Sequence, residues 1–140
     1  MHAWIGDGEG IHVVCLHLDL FERGRRQQIQ RLVDRVQKHV PEGAPLIIAG
    51  DFNDWNQKIS QLLLGQLGLR ESGVEYTGKH ANTFPSWRPF LALDRVYLRG
   101  FTIQQYQVLS GAPWSAMSDH AAVLVDIELA HTLSPMQLRE

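Results

Sequence analysis

The segment Pro45-Leu46-Ile47-Ile48-Ala49-Gly50-Asp51-Phe52-Asn53 constrains this chain more than any other. A short unbroken apolar run that ends in glycine reads as a strand buried on both faces. Asp51 and Asn53 follow directly, so two oxygen-bearing side chains stand at the rim of a sheet, where they can face a hard cation or a phosphate. Strand alternation turns Phe52 the other way, into the core. Three more polar points occupy comparable places. His17 ends an apolar run over 11–18, and Asp94 and His120 begin runs over 93–98 and 120–129. If the later strands run antiparallel to the first two, His17, Asp51, Asp94 and His120 meet at one edge of a mixed sheet. A lone aspartate after a strand is ordinary turn chemistry. Four polar residues that obey one end-and-start rule specify a shared site.

The rest of the chain alternates between helix and strand periodicity. Residues 2–5 read as a short strand, turned by Gly6-Asp7-Gly8-Glu9-Gly10 into the run 11–18, whose Val13, Cys15 and His17 share a face. A helix is expected over 24–40, with Ile29, Leu32, Val33, Val36 and Val40 inward and Arg25, Arg31, Arg35 and Lys38 on a solvated face. Pro41 and Gly43 close it. Ile59, Leu62, Leu63 and Leu67 mark a second helix, 74–92 reads as extended and irregular, and strands follow over 93–98, 101–109 and 120–129. The stretch 130–140 is expected to fray. Without repeats or a linker, residues 1–140 read as one α/β domain, a mixed sheet flanked by helices. These helices can cover only one sheet face. A second copy of the chain, or a separate N-terminal half, is expected against the other.

Charge narrows the function classes. A net charge of -2 and a pI near 6.4 supply no global basic field, which disfavours a dedicated nucleic-acid coat protein. The single cysteine, Cys15, cannot form an intrachain disulfide and reads as a buried reduced thiol. No apolar run reaches membrane-spanning length and the N-terminus does not resemble a signal peptide, so a cytoplasmic enzyme is expected. His2, His12, His39, His80 and His131 lack partners at metal-ligand spacing and read as surface or turn residues. Arg88 could contact a substrate phosphate, and Trp87 beside it could stack on a base or cap an apolar group. Trp114 is as readily core as pocket wall.

Gly50-Asp51-Phe52-Asn53, Ser118-Asp119-His120, Leu93-Asp94-Arg95-Val96 and His17-Leu18, taken in order, resemble the spaced signatures of the endonuclease/exonuclease/phosphatase superfamily. Thr83-Phe84-Pro85-Ser86 resembles a segment that often precedes the Leu-Asp signature there. The resemblance runs from about Val13 to Leu129 and implies one half of a two-sheet α/β sandwich. It also implies hydrolysis of phosphate esters with a divalent metal. By the same resemblance His120 is the general base and Asp94 its orienting partner, Asp119 binds metal, and Asp51 positions water or metal. Asn53 holds a phosphate oxygen and His17 donates to the phosphoryl group.

These assignments suit the chemistry. Hydrolysis of a phosphodiester needs a nucleophilic water, neutralisation of growing charge, and help for the departing oxygen. Histidine titrates near neutrality, and a carboxylate that fixes its tautomer improves it as a base. The metal candidates are hard oxygen donors without a cysteine–histidine cage, which favours Mg²⁺ or Mn²⁺ over structural zinc. The family's early asparagine and its glutamate metal ligand have no counterpart before His17, since Asp7 and Glu9 sit in a glycine-rich turn. Weak turnover is therefore expected of this chain alone, and a non-catalytic interaction module is the alternative.

Overall fold

The computed structural model describes residues 10–130 in full and the backbone of His2–Trp4. The turn carrying Asp7 and Glu9, and the tail from His131, lie outside the described residues. In chain order the elements are β1 (His2–Trp4), β2 (Gly10–His17), α1 (Glu22–His39), β3 (Leu46–Asp51), α2 (Ile59–Leu67), β4 (Arg70–Glu71), α3 (Ser72–Thr77), β5 (Asp94–Arg99), β6 (Phe101–Leu109) and β7 (Ala122–Leu129). Five strands form a mixed sheet in the order β1-β2-β3-β5-β4, and β6 and β7 pair as a separate two-stranded sheet. β2 runs parallel to β3, and β5 runs antiparallel to β3.

Alternation sorts the side chains onto two faces. Leu46, Ile48 and Tyr97 turn toward the helices, where they meet Ile29, Val33 and Val36 of α1 and Ile59, Leu63 and Leu67 of α2. Phe52 is fully buried in that core with its ring edge-on to Tyr97, 4.9 Å between centroids. A side chain of this size contributes about 1.5–3 kcal/mol when it leaves water. The other face carries Ile11, Val13, Ile47, Val96 and Leu98, which pack on Ile103, Val125, Ile127 and Leu129 of the β6–β7 sheet.

That second sheet corrects the expectation that all the late strands join one sheet. The turn at Gly100 carries β6 out of the plane of β5, so the β6–β7 pair covers part of the face that the helices leave bare. The cover is incomplete, and Cys15 on that face is exposed, not buried. Residues 70–77 differ too, forming a short strand and then helix α3, capped when Glu71 accepts from the Val74 amide at 2.8 Å. Arg25 is another correction. It is buried because its guanidinium donates to the carbonyls of Asp19 and Leu20 at the entry to α1. Gly50 is required where it stands. At φ 145° a Cβ there would sit 1.9 Å from the Leu16 carbonyl oxygen on the neighbouring strand.

Candidate active site

The pairing register builds the site. His17 lies opposite Asp51 across β2 and β3, and Asp51 lies opposite Asp94 across β3 and β5. Three polar residues therefore stand side by side at one end of the sheet, where β2 and β3 finish and β5 begins. All three belong to the face away from the helices. His120 arrives from the loop before β7, which starts at Ala122 and not at His120 as the sequence suggested.

One hydrogen bond fixes the imidazole, and a second carboxylate stands farther off on its other side. His120 Nδ1 lies 2.6 Å from Asp94 Oδ2, and its other nitrogen, Nε2, lies 3.9 Å from Asp51 Oδ2. Thr83 Oγ1 donates to the same Asp94 oxygen at 2.6 Å and accepts from the Asp94 amide at 3.1 Å, so the carboxylate cannot swing. A carboxylate facing Nδ1 draws the ring proton there and leaves Nε2 as the acceptor when the ring is neutral. Burial alone would lower the His120 pKa. The hydrogen bond and charge of Asp94, with Asp51 and Asp119 behind them, outweigh it and hold the imidazole above its ordinary value. The ring also packs on Phe84, 4.9 Å between centroids.

The loop that carries His120 is tied down by the Thr83-Phe84-Pro85-Ser86 segment. Ser86 Oγ donates to the Ser118 carbonyl at 2.6 Å, the Ser86 amide donates to the Asp119 carbonyl at 2.7 Å, and the Ala121 amide donates to the Thr83 carbonyl at 2.7 Å. Sequence reasoning singled out this tetrapeptide but gave it no task. Its two hydroxyl residues are nearly fully buried, which is the sign of a structural assignment.

Asn53 takes a positive φ of 47°, a conformation asparagine tolerates. Its amide donates to the Leu18 carbonyl at 2.8 Å, and its backbone N–H donates to Asp51 Oδ1 at 2.9 Å. One N–H of the side-chain amide remains for a ligand. His17 is largely exposed, with Nε2 3.6 Å from Asp51 Oδ2. Asp119 and Arg88 are both exposed. Asp119 lies near enough to influence His120 but outside the tight cluster, and Arg88 sits on the turn whose amide bonds Pro85 O at 3.1 Å.

Among the described residues, one group of three could hold a cation: Asp51, Asp94 and His120, with ligand atoms within 4.8 Å of one another. Two of the three already serve each other, so Asp51 Oδ2 is the oxygen best placed for a metal.

Behind the site runs a buried network that the sequence did not disclose. Arg95 and Asp54, at 2% and 1% exposure, form an ion pair at 3.0 Å. Arg95 also donates to the carbonyls of Asp54 and Ala92 and to the Tyr97 hydroxyl, which contacts Ser60 Oγ at 2.7 Å. Ser60 Oγ in turn contacts His80 Nε2 at 3.2 Å. The His80 side chain, 8% exposed and with Nδ1 3.3 Å from Glu71 Oε2, is thus buried in a polar chain, which corrects its reading as a surface residue. Trp114, by contrast, is 39% exposed and belongs to no core.

Residues 2–120 match the Endonuclease/Exonuclease/phosphatase family. The chain is 40% identical over 122 residues to uncharacterized protein YbhP of Escherichia coli strain K12, across 87% of this chain and 48% of YbhP. A functionally unknown conserved protein from Enterococcus faecalis superposes with a TM-score of 0.73 at 19% identity, covering 89% of this chain and 52% of that one. A mannosyl-6-phosphatase of Bacteroides thetaiotaomicron gives a TM-score of 0.69 at 20% identity, covering 87% and 52%. At such identities the likeness is one of fold. The chain spans about half the length of these relatives. With the signatures in register and the family match running through His120, the chain belongs to the endonuclease/exonuclease/phosphatase family.

Proposed function

We propose that this chain carries the base-bearing half of a divalent-metal-dependent phosphoester hydrolase, acting on phosphodiesters or phosphomonoesters. The observation that carries the reading is the Asp94–His120–Asp51 constellation, with Nδ1 held and Nε2 directed at a second carboxylate. His120 Nε2 takes the proton of an attacking water, Asp94 orients the ring and stabilises the imidazolium that forms, and Asp51 aligns the water from the opposite side. His17 and the remaining Asn53 N–H are directed at phosphoryl oxygens, and Arg88 is the outlying contact for a phosphate. Asp51 and Asp119 are the residues that would hold Mg²⁺ or Mn²⁺. Their donors are hard oxygens, and a bound ion would supply charge neutralisation at the phosphate.

The resemblance implies a glutamate metal ligand that has no counterpart before His17, and Mg²⁺ sites rest on only one or two carboxylates completed by water and phosphate, so losing one is expected to leave turnover by this chain weak. The bare part of the β2–β3–β5 face is proposed to meet a second copy or a separate N-terminal half. Among the described residues no helix is long and apolar enough to cross a membrane. The lone, exposed thiol of Cys15 suits a reducing compartment, and the cytoplasm is proposed.

The test is hydrolysis of bis-nitrophenyl phosphate with and without Mg²⁺ or Mn²⁺, on this chain and on a version extended to its relatives' length. Metal-dependent turnover in the extended version, abolished by His120→Ala, is expected. No turnover in either would favour a non-catalytic interaction module. Robust turnover by this chain alone would overturn the expected impairment.

A further inference from the structure

Eleven large apolar side chains are exposed among the described residues, and they are not scattered evenly. Leu20 and Phe21 follow β2, Trp55 follows β3, Trp87 and Phe90 precede β5, and Trp114 and Met117 precede β7. These seven lie on the four connections that present His17, Asp51, Asp94 and His120. Leu20, Phe21, Trp87 and Met117 are each more than 70% exposed. Holding this much apolar surface in water is unfavourable, and proteins keep it where a partner takes it up.

The charge of the same connections selects the partner. Their basic side chains are Lys58, Lys79 and Arg88, and Lys58 is engaged by Glu22 at 2.9 Å. In formal charge the exposed Asp119 and the neighbouring Asp19 balance the other two. A polyanion such as nucleic acid is gripped through several lysines and arginines against its phosphates, and no such surplus exists here. A near-neutral rim of Trp, Phe, Leu and Met fits the boundary between lipid headgroups and acyl chains, where aromatic rings with one wet edge reside.

Taking the phosphoester reading of the site as given, we propose that this rim seats the protein on a lipid surface. The substrate is then a phosphate ester of a lipid headgroup, presented with its acyl body in the bilayer. The four connections enter the interfacial layer around the phosphate, and the cluster of Asp51, Asp94 and His120 meets the ester from the water side.

The test reads binding, so it stands whether or not turnover is found. The full chain is mixed with phosphatidylcholine vesicles, and partition is followed by co-sedimentation and by the blue shift of tryptophan emission. Three of the four tryptophans lie on the rim. Partition is expected, little changed as salt rises from about 0.1 to about 0.5 M. Leu20→Ser with Phe21→Ser, and separately Trp87→Ser with Phe90→Ser, should each weaken it by about tenfold or more, the scale set by withdrawing such side chains from water. Leu64→Ser, on α2 away from the rim, should leave it within about twofold. In the extended protein the Leu20/Phe21 variant should keep its turnover of soluble bis-nitrophenyl phosphate. Absence of partition, or partition that the rim variants do not weaken, would overturn the proposal. Salt-sensitive binding to a single-stranded oligonucleotide in place of vesicles would overturn it in favour of nucleic acid.

Discussion

Replacing Arg95 with methionine tests whether the geometry of the rim is held from behind. Among the described residues Arg95 is the largest fully buried side chain, and it ties three segments together. Through Asp54 it reaches the loop after β3, through the Ala92 carbonyl it reaches the loop before β5, and through Tyr97 it reaches Ser60 in α2. Those two loops adjoin Asp51, the last residue of β3, and Asp94, the first of β5. Methionine fills most of the volume but donates nothing, so Asp54 is left as a buried charge without its cation. Breaking a buried pair in this way costs about 3–5 kcal/mol. Asp54 retains the amides of Lys58 and Ile59, at 3.2 and 2.9 Å, which places the loss near the lower end, about 3 kcal/mol.

A domain of this size has a total stability of about 5–15 kcal/mol, so the loss is a large fraction and lowers the melting temperature by roughly 10 °C. The assay is urea unfolding of wild type, Arg95→Met, Asp54→Asn and the double variant. The double variant should recover at least about 1 kcal/mol of the summed single losses, because the two residues act as one unit. A second reading separates positioning from mere stability. If the clamp sets the Asp94–His120 contact, the His120 pKa falls in the still-folded Arg95→Met protein. A loss below about 1 kcal/mol, or strict additivity, would refute the idea that this pair fastens the two loops.

Asp94→Asn should bring the His120 pKa down, followed by imidazole resonances across pH, because the hydrogen bond and the charge that raise it both weaken. The sign for stability follows. With a folded pKa above the unfolded value, His120 contributes stability that is fully present below the unfolded pKa and is lost as pH rises through the folded one, and Asp94→Asn should remove that loss. In the extended protein the acidic limb of the rate profile should move to lower pH in the same variant, since the base is then free at lower pH. Gly50→Ala drives a methyl into the Leu16 carbonyl and should cost more than about 3 kcal/mol, read as a fall in the urea midpoint. The bare sheet face predicts concentration-dependent self-association, and sedimentation showing a strict monomer at micromolar concentration would count against it.

The rim was legible because strands convert sequence order into position. An apolar run fixes where β3 ends, and alternation fixes which face Asp51 takes. The antiparallel pairing of β3 with β5 then sets the end of one beside the start of the other, so Asp51 meets Asp94 without further information. His120 reaches the same cluster although it stands two residues before β7, because the β6–β7 sheet packs on the face where the others emerge and Asp94 takes up its ring. Thr83 and Ser86 were visible as residues but not as fasteners, since a hydroxyl in an irregular segment carries no period from which burial can be read. Arg95 and His80 were missed for a related reason. The pattern Asp94-Arg95-Val96-Tyr97 sends Arg95 and Tyr97 to the helix face, where a charge is costly unless paired, and its partner Asp54 lies 41 residues away. A charged residue on the buried face of a strand announces that a partner must exist. Which carboxylate answers depends on how the loop after Asn53 turns, and in that loop Asn53 and Gln57 both take a positive φ. The residue named from sequence as a ligand for phosphate therefore also shapes the loop on which Asp54 reaches the interior, so a change at Asn53 should disturb binding and the Arg95 clamp together.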